Sequence, residues 1–549
     1  MVDGAPNATT SDAATKARAA GHEERRAITG RAGIVALGTL ASRILGLGRE
    51  VVLAAVFSRA ATDAFMVAFT IPNTLRQLLG EGAVQTAVLP VLAKTRETEG
   101  DDAAKRFFAA ARGVSLLSLT VASLLGVLFA PQLVNLFADG FHDTPGQTER
   151  TVALLRWLFP YIFFAGTAAL GAAALNASRR FVVTAFAPGL LNVACIAFAV
   201  ALPAWLSTHG HDPILAMAWG ALAGGALQVV AQWPSLSRTG YLTRPRLDFS
   251  HPGVRDALRR MGPVTFGLGI YLVDVVIARR FLSELGTGPQ TYFGFALRLC
   301  DFPQGIFVMA IQTAALPSLA ALAARHDHAE FAATYAYGVR LTLFVGITAT
   351  ALFVALAEPI VALLFQRGNF DAVAVHETAS ALVAQGVGIW TVALVRQLVA
   401  VYFALGDTRT PVLVSLLDLL AFIGLAFALR GPFGHVGVGL AVAGSSAVQM
   451  LLLWTWLGRH LPDRRLGEIG RSALRTLVAA VVAALVAHFA ARGVAGALPH
   501  SAWTRAIPGL LGTTLFLAVF FAVALAVRSE ELTAIRDAVT RRKRRAAGQ

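Results

Sequence analysis

From residue 32 to residue 527 the chain is a succession of apolar segments, most of them about 20 residues or more, parted by short polar links. A peptide group in hydrocarbon finds no water, so each such segment must satisfy its own backbone as a helix. The segments fall near 32–57, 63–92, 107–137, 151–176, 182–206, 213–236 and 262–283, and again near 291–322, 333–356, 374–404, 411–429, 435–457, 473–495 and 505–527. The expected fold is an all-α polytopic membrane protein with about 14 transmembrane helices. With 56% of its residues hydrophobic and 14% charged, the chain could not keep a soluble surface.

Several activities drop out. The four lysines, Lys16, Lys94, Lys105 and Lys543, never follow glycine, so no Walker A loop exists and ATP is not the direct fuel. "HEERR" at 22–26 lacks the second histidine of a zinc helix, and no G-x-S-x-G elbow occurs. Cys195 and Cys300 lie in separate apolar runs and offer neither a disulfide framework nor metal spacing. No nucleic-acid partner is expected. The basic tail "RRKRR" at 541–545 suits anionic lipid.

An even number of spans returns both termini to one side. If that side is the cytoplasm, inner loops collect roughly 19 Lys and Arg against roughly six outside, so both termini are expected to be cytoplasmic. Residues 1–30, polar and without the apolar core of a signal peptide, read as a disordered cytoplasmic arm, and 529–549 as a basic cytoplasmic tail. "QTAVLPVLA" at 85–93 returns as "QTAALPSLA" at 312–320, with Ile71-Pro72 and Phe302-Pro303 upstream. "WGALAGGALQVV" at 219–230 is echoed by "LAVAGSSAVQML" at 440–451. An offset of about 220 to 230 residues implies two six-helix lobes, 31–238 and 255–460, with helices 13 and 14 appended over 470–528. Lobes of six spans are related by an axis along the membrane normal and enclose a cavity, a layout that serves a transporter rocking one lobe against the other.

About ten arginines, and no lysine, remain within spans or at their edges: Arg43, Arg49, Arg76, Arg112, Arg156, Arg279, Arg280, Arg298, Arg340 and Arg396. At roughly 3 kcal/mol each, lipid exposure of several is untenable. Arg112, Arg156 and Arg340 lie near span ends and are expected to snorkel. The others need water, a carboxylate or an anion. Arg43 and Glu50 share nearly one helix face, and Arg49 lies about 120° away with Gly46 and Gly48 loosening the turn between them. Asn73 and Arg76 follow Pro72 on one line of helix 2. Arg298 and Asp301 precede Pro303 on helix 8, as an i, i+3 pair that either neutralises itself or binds ligand. The planar guanidinium fork takes phosphate oxygens two at a time, so the cavity suits a polyanion, phosphate or pyrophosphate foremost. Asp274 and Asp418 are either neutral or paired buried carboxylates, or a proton or sodium site in the second lobe.

"SRILGLGREVVLAAVF", "ATDAFMVAFTIPNTLRQLLGEGAVQTAVLPVLA" and "FPQGIFVMAIQTAALPSLA" resemble the matching stretches of the MurJ (MviN) lipid II flippases, within the superfamily of multidrug, oligosaccharidyl-lipid and polysaccharide exporters. The resemblance implies a secondary-type lipid transporter of the bacterial cytoplasmic membrane, not an enzyme. Its cargo would be lipid II, the undecaprenyl-pyrophosphate-linked peptidoglycan precursor, moved from inner to outer leaflet by alternating access under an electrochemical gradient. Substrate-binding residues carry over to Arg43, Arg49, Arg76 and Arg298, joined by Asn73 from its place on the helix 2 line, and acidic cavity or gating residues to Glu50, Asp63, Glu81 and Asp301. Helices 13 and 14 would groove the polyprenyl tail. Gln77, Thr70 and Leu297 stand where the family often has arginine, lysine and aspartate, and Arg279 and Arg280 are expected to restore the missing positive charge. Asp274, Ser415 and Asp418 match a cation site, for Na+ or H+ as coupling ion, with no other cofactor. A monomer working beside cell-wall synthases is expected. The alternatives are an exporter of another polyprenyl-linked glycan or of amphipathic drugs, whose cavity would favour acids and aromatics, and a glycolipid-modifying enzyme with a fixed acid–base pair.

Overall fold

The computed structural model describes residues 33–77, 83–461, 463–498 and 504–533, and among them every regular element is helical. The first half holds α1 (33–56), α2 (Arg59–Arg76), α3 (Ala83–Glu99), α4 (Asp101–Leu128), α5 (Ala130–Ala138), α6 (Gln147–Leu158), α7 (Tyr161–Ala177), α8 (Val182–Ala201), α9 (Pro203–Thr208) and α10 (Leu215–Arg238). The second holds α11 (Pro252–Ser283), α12 (Pro289–Pro303), α13 (Met309–Ala324), α14 (His328–Phe365), α15 (Ala372–Gly386), α16 (Ile389–Ala404) and α17 (Arg409–Leu457). The chain ends on α18 (Leu466–Ala497) and α19 (Ile507–Ala526). The arm at 1–30 lies outside the described residues, as does the tail beyond 533.

Helices α7, α8 and α10 pack together in the first half, and α14, α15, α16 and α17 in the second, while α18 and α19 pair with each other against α14. The halves meet where α3 and α5 touch α11 and where α2 touches α12. Apolar side chains also cover the outside: Leu128 is 68% exposed and Val200 69%, a surface that only lipid would leave uncovered. Trp205 and Trp233 are exposed, as interfacial anchors would be, whereas Trp503 lies outside the described residues.

Among the described residues nine helices are long and apolar enough to cross a membrane, or ten when α15 and α16, bent by 41° at their junction, count as one span. The expectation of about 14 is not reached by that measure. One reason is α2, whose Arg59, Asp63 and Arg76 dilute its apolar run. Another is α17, which at 49 residues would reach about 73 Å, more than twice the thickness of a hydrocarbon core. Gly434, at φ 56 and ψ −134, folds α17 into two arms. Their close approach leaves no room at Gly437, where a Cβ would meet the Leu429 carbonyl oxygen at 2.1 Å. Proline breaks the eighth rod as well: after Pro303 a π turn over Gln304–Val308 separates α12 from α13.

Candidate functional site

α1, α2, α7, α8, α12 and α16 enclose a cavity of about 930 Å³ whose lining includes Arg43, Arg49, Arg76, Arg298 and Arg396. Asn73 and Asp301 line it too, with Asn192 and Gln228 adding neutral polar groups. Among the described residues five guanidinium groups thus face two carboxylates, Asp301 in the lining and Glu50 behind it.

Each arginine is held differently. Arg49 and Glu50 are buried, at 5% and 2% exposure. Arg49 Nη2 sits 2.6 Å from Glu50 Oε1, and its guanidinium lies over the Phe69 ring at 5.1 Å. Arg298 Nε reaches the same Glu50 oxygen at 3.6 Å, so one carboxylate is shared by arginines from both halves. The self-neutralising pairing of Arg298 with Asp301 does not form among the described ion pairs. Arg43 instead uses Asp301, donating from Nη1 to its backbone oxygen at 3.4 Å. Gly305 leaves room for that reach, because a Cβ there would come within 2.1 Å of Arg43 Nη1. Arg76 donates from Nε and Nη2 to Asn73 Oδ1 at 3.2 and 3.1 Å, which fixes the i, i+3 pair expected on helix 2.

Arg396 of α16 is the fifth arginine of the lining, and its sequence surroundings assign it no role. The repeat gives no sign of it until the chain is folded, when Gln312, which opens the second "QTA", donates to the Arg396 backbone oxygen at 3.1 Å. That bond ties the repeated segment to the helix carrying the fifth arginine.

Other expected residues stand elsewhere. Arg279 is buried outside the cavity and donates to Gln290 Oε1 at 2.9 Å. Arg280 is exposed and pairs with Asp139 at 2.7 Å. Both sit on the last turns of α11, too far along the helix to restore cavity charge. Glu81 lies outside the described residues. Asp274 and Asp418 each have a buried Oδ1 without a partner, and Ser415 Oγ accepts from Gln449 Nε2 at 3.2 Å. Among the described residues no group of three or more His, Cys, Asp or Glu side chains could hold a metal ion. Arg340 does not snorkel: its side chain is 12% exposed and pairs with Glu531 at 2.7 Å and Glu530 at 2.5 Å.

Asp63 belongs to a different structure, a seal between the halves beyond the end of α1. Its Oδ2 accepts from Gly288 N at 2.5 Å, and its Oδ1 from Thr291 N at 2.8 Å and Thr291 Oγ1 at 2.5 Å. A carboxylate of α2 thereby caps α12, satisfying donors that a helix start leaves open. Beside it Arg59 pairs with Asp371 and donates to the Tyr292 hydroxyl at 3.3 Å. Asn369 donates to the backbone oxygens of Ala55 at 3.0 Å and Val56 at 2.7 Å. Gly368, at φ 56, would place a Cβ 2.1 Å from the Ala55 oxygen, so only glycine allows that loop to lie on α1.

The sequence matches the lipid II flippase MurJ family over residues 53–504. Similar proteins include the lipid II flippase MurJ of Burkholderia cenocepacia, 34% identical over 453 residues that cover 82% of this chain and 86% of that one. The probable lipid II flippase MurJ of Vibrio cholerae is 34% identical, with 78% and 82% covered. A solved lipid II flippase MurJ in an inward closed conformation aligns with a TM-score of 0.71 at 21% identity, covering 88% of this chain and 97% of that one. An inward-facing multidrug resistance MATE family transporter of the MOP superfamily aligns at 0.65 with 15% identity, covering 78% and 99%. These two likenesses establish the fold.

Proposed function

The chain belongs to the lipid II flippase MurJ family, and from that premise we propose that it carries lipid II from the inner to the outer leaflet by alternating access. The observation that carries the reading is the cavity with five arginines against two carboxylates. An excess of positive charge is costly in a membrane interior unless an anion completes it, and a diphosphate offers several oxygens to several forks. Arg43, Arg76 and Arg396 would take those oxygens, while the Arg49–Glu50–Arg298 cluster holds the wall. A drug exporter has no use for this charge.

In this reading both termini are cytoplasmic, so the seal around Asp63 and Arg59 closes the outer side. Opening would require the Gly288 and Thr291 donors to leave Asp63, and a bound headgroup would have to favour the open arrangement by its differential contacts. The membrane potential would supply direction, at about 2.3 kcal/mol per charge for 100 mV. Asp274, Asp418 and Ser415, with two buried carboxylate oxygens unpartnered, fit Na+ or H+ as coupling ion.

The test is depletion in a host lacking other flippases, with outer-leaflet lipid II measured directly. A fall is expected, and an unchanged level removes the proposal. Collapsing the membrane potential should stop transport, whereas draining ATP with the potential clamped should not.

A further inference from the structure

A second hollow, of about 630 Å³, lies between α14, α15, α18 and the start of α19, and it shares no lining residue with the arginine cavity. Its wall is shaped by a proline. Pro359 has no N–H, so the Ala355 carbonyl four residues back loses its helical donor, and α14 departs from helical geometry at Leu356 (φ −124, ψ 24). His488 of α18 takes up the vacant acceptor, with Nδ1 2.8 Å from the Ala355 oxygen. Because a carbonyl only accepts, Nδ1 carries the proton and the ring is fixed in one tautomer.

Arg492, Arg505, His376 and Glu358 also line the hollow. All four are exposed, and neither arginine has an ion-pair partner among the described residues. Among the described lining residues, two guanidinium groups face one carboxylate, an excess of one arginine. The remaining wall is apolar, including Val354 and Leu498. Phe489, next in the chain to the lining His488, is 67% exposed, and Leu510, two residues past the lining Pro508, 63%, so the molecule that reaches this hollow first is a lipid.

We propose that the hollow binds one anionic glycerophospholipid of the adjoining leaflet, its phosphodiester between Arg492 and Arg505 and an acyl chain along the apolar wall. The single negative charge of a phosphodiester with an uncharged headgroup matches the single excess positive charge. A zwitterionic headgroup would bring a second cation and leave that excess in place. Arginines that merely snorkel into bulk headgroups would make no such distinction.

Native mass spectrometry of the full-length protein, exchanged in detergent with phosphatidylglycerol or phosphatidylcholine, tests this. One phosphatidylglycerol per chain should survive activation about tenfold better than phosphatidylcholine, and the double variant R492A/R505A should lose the preference. Glycerol 3-phosphate should not displace the lipid. Equal retention of the two lipids, an unchanged preference in the double variant, or displacement by glycerol 3-phosphate overturns the proposal. Should the double variant fail to fold, R492Q and R505Q made singly should each reduce the preference, and no reduction in either has the same overturning force.

Discussion

Around the end of α1, Arg59 and Asp63 are consumed by protein partners in the other half of the chain, with Asp63 alone accepting from three donors. About two to four helical turns back along the same helix, Arg49 and Arg43 border a space that protein does not fill. Both regions join the two halves and both rely on arginine and acid, yet their accounts differ. At the seal, charge and donors balance within the protein, so the contact stabilises one arrangement. In the cavity the five lining arginines outnumber Glu50 and Asp301 among the described residues, and in the proposed reading the cargo completes that contact. Charge that is matched holds a state, and charge in excess selects a ligand.

The largest test of that contrast falls on Arg49. Arg49→Ala should abolish transport, and it should also destabilise the protein by about 3 kcal/mol or more, because Glu50 keeps only the longer Arg298 contact. Removing both partners, as R49A/E50A, should recover most of the melting temperature and none of the transport. A transporting double variant would mean that the cavity binds its cargo without the Arg49–Glu50 wall and would dissolve the distinction between the regions. Next in size is Asp63→Ala, which strands two backbone donors and a hydroxyl at a cost of about 2–4 kcal/mol. The seal should then open more often, and a cysteine placed at Thr62, now 1% exposed, should react with an impermeant maleimide about tenfold faster. An unchanged rate would mean that the seal does not depend on its buried carboxylate.

Sequence alone reached the cavity more readily than the seal, for a physical reason. An arginine inside an apolar run violates the solvation rule of its surroundings, so Arg43, Arg49, Arg76 and Arg298 announce themselves one by one. Asp63 near a helix start is locally unremarkable. Its significance comes from Gly288 and Thr291, more than 200 positions away, and no periodicity encodes that pairing. Arg279 and Arg280 failed as cavity residues for a related reason: hydropathy detects burial, but it does not say how far along a helix a cavity extends. The helical class and the proline breaks were legible. The reversal at Gly434 was legible too, since the spans expected at 411–429 and 435–457 are the two arms of α17, whereas charged residues inside α2 blur its count as a span. Arg396 needed the third dimension, since only the Gln312 contact ties it to the repeat.

A smaller effect is expected at Gly305. A methyl group there would occupy the place of Arg43 Nη1, so Gly305→Ala should push that guanidinium aside and lower transport several-fold without changing maleimide labelling at Thr62. If labelling rose as well, cavity and seal would be one coupled unit instead of two with separate roles.

The smallest effect should come from a carboxylate that is paired but bridges nothing that must move. Glu531, past the end of α19, lies against Arg340 of α14 and Ser472 of α18. Burial alone would raise its carboxyl above the ordinary 4.5, but bonds from its own backbone N–H, Ser472, Arg340 and Ser529 outweigh that and hold it lower. A carboxylate with a lowered folded value stabilises the protein above the unfolded value, and that contribution fades as pH falls through the folded one. Between pH 7 and 5 the melting temperature of Glu531→Gln should therefore lie below that of the parent, and the gap should close as the pH drops below about 4.5. Because every partner belongs to the second half or the terminal helices, transport and Thr62 labelling at pH 7 should match the parent. A change in labelling would extend the seal's energetics across the molecule and erase the line between a charge that holds a state and one that merely holds a fold.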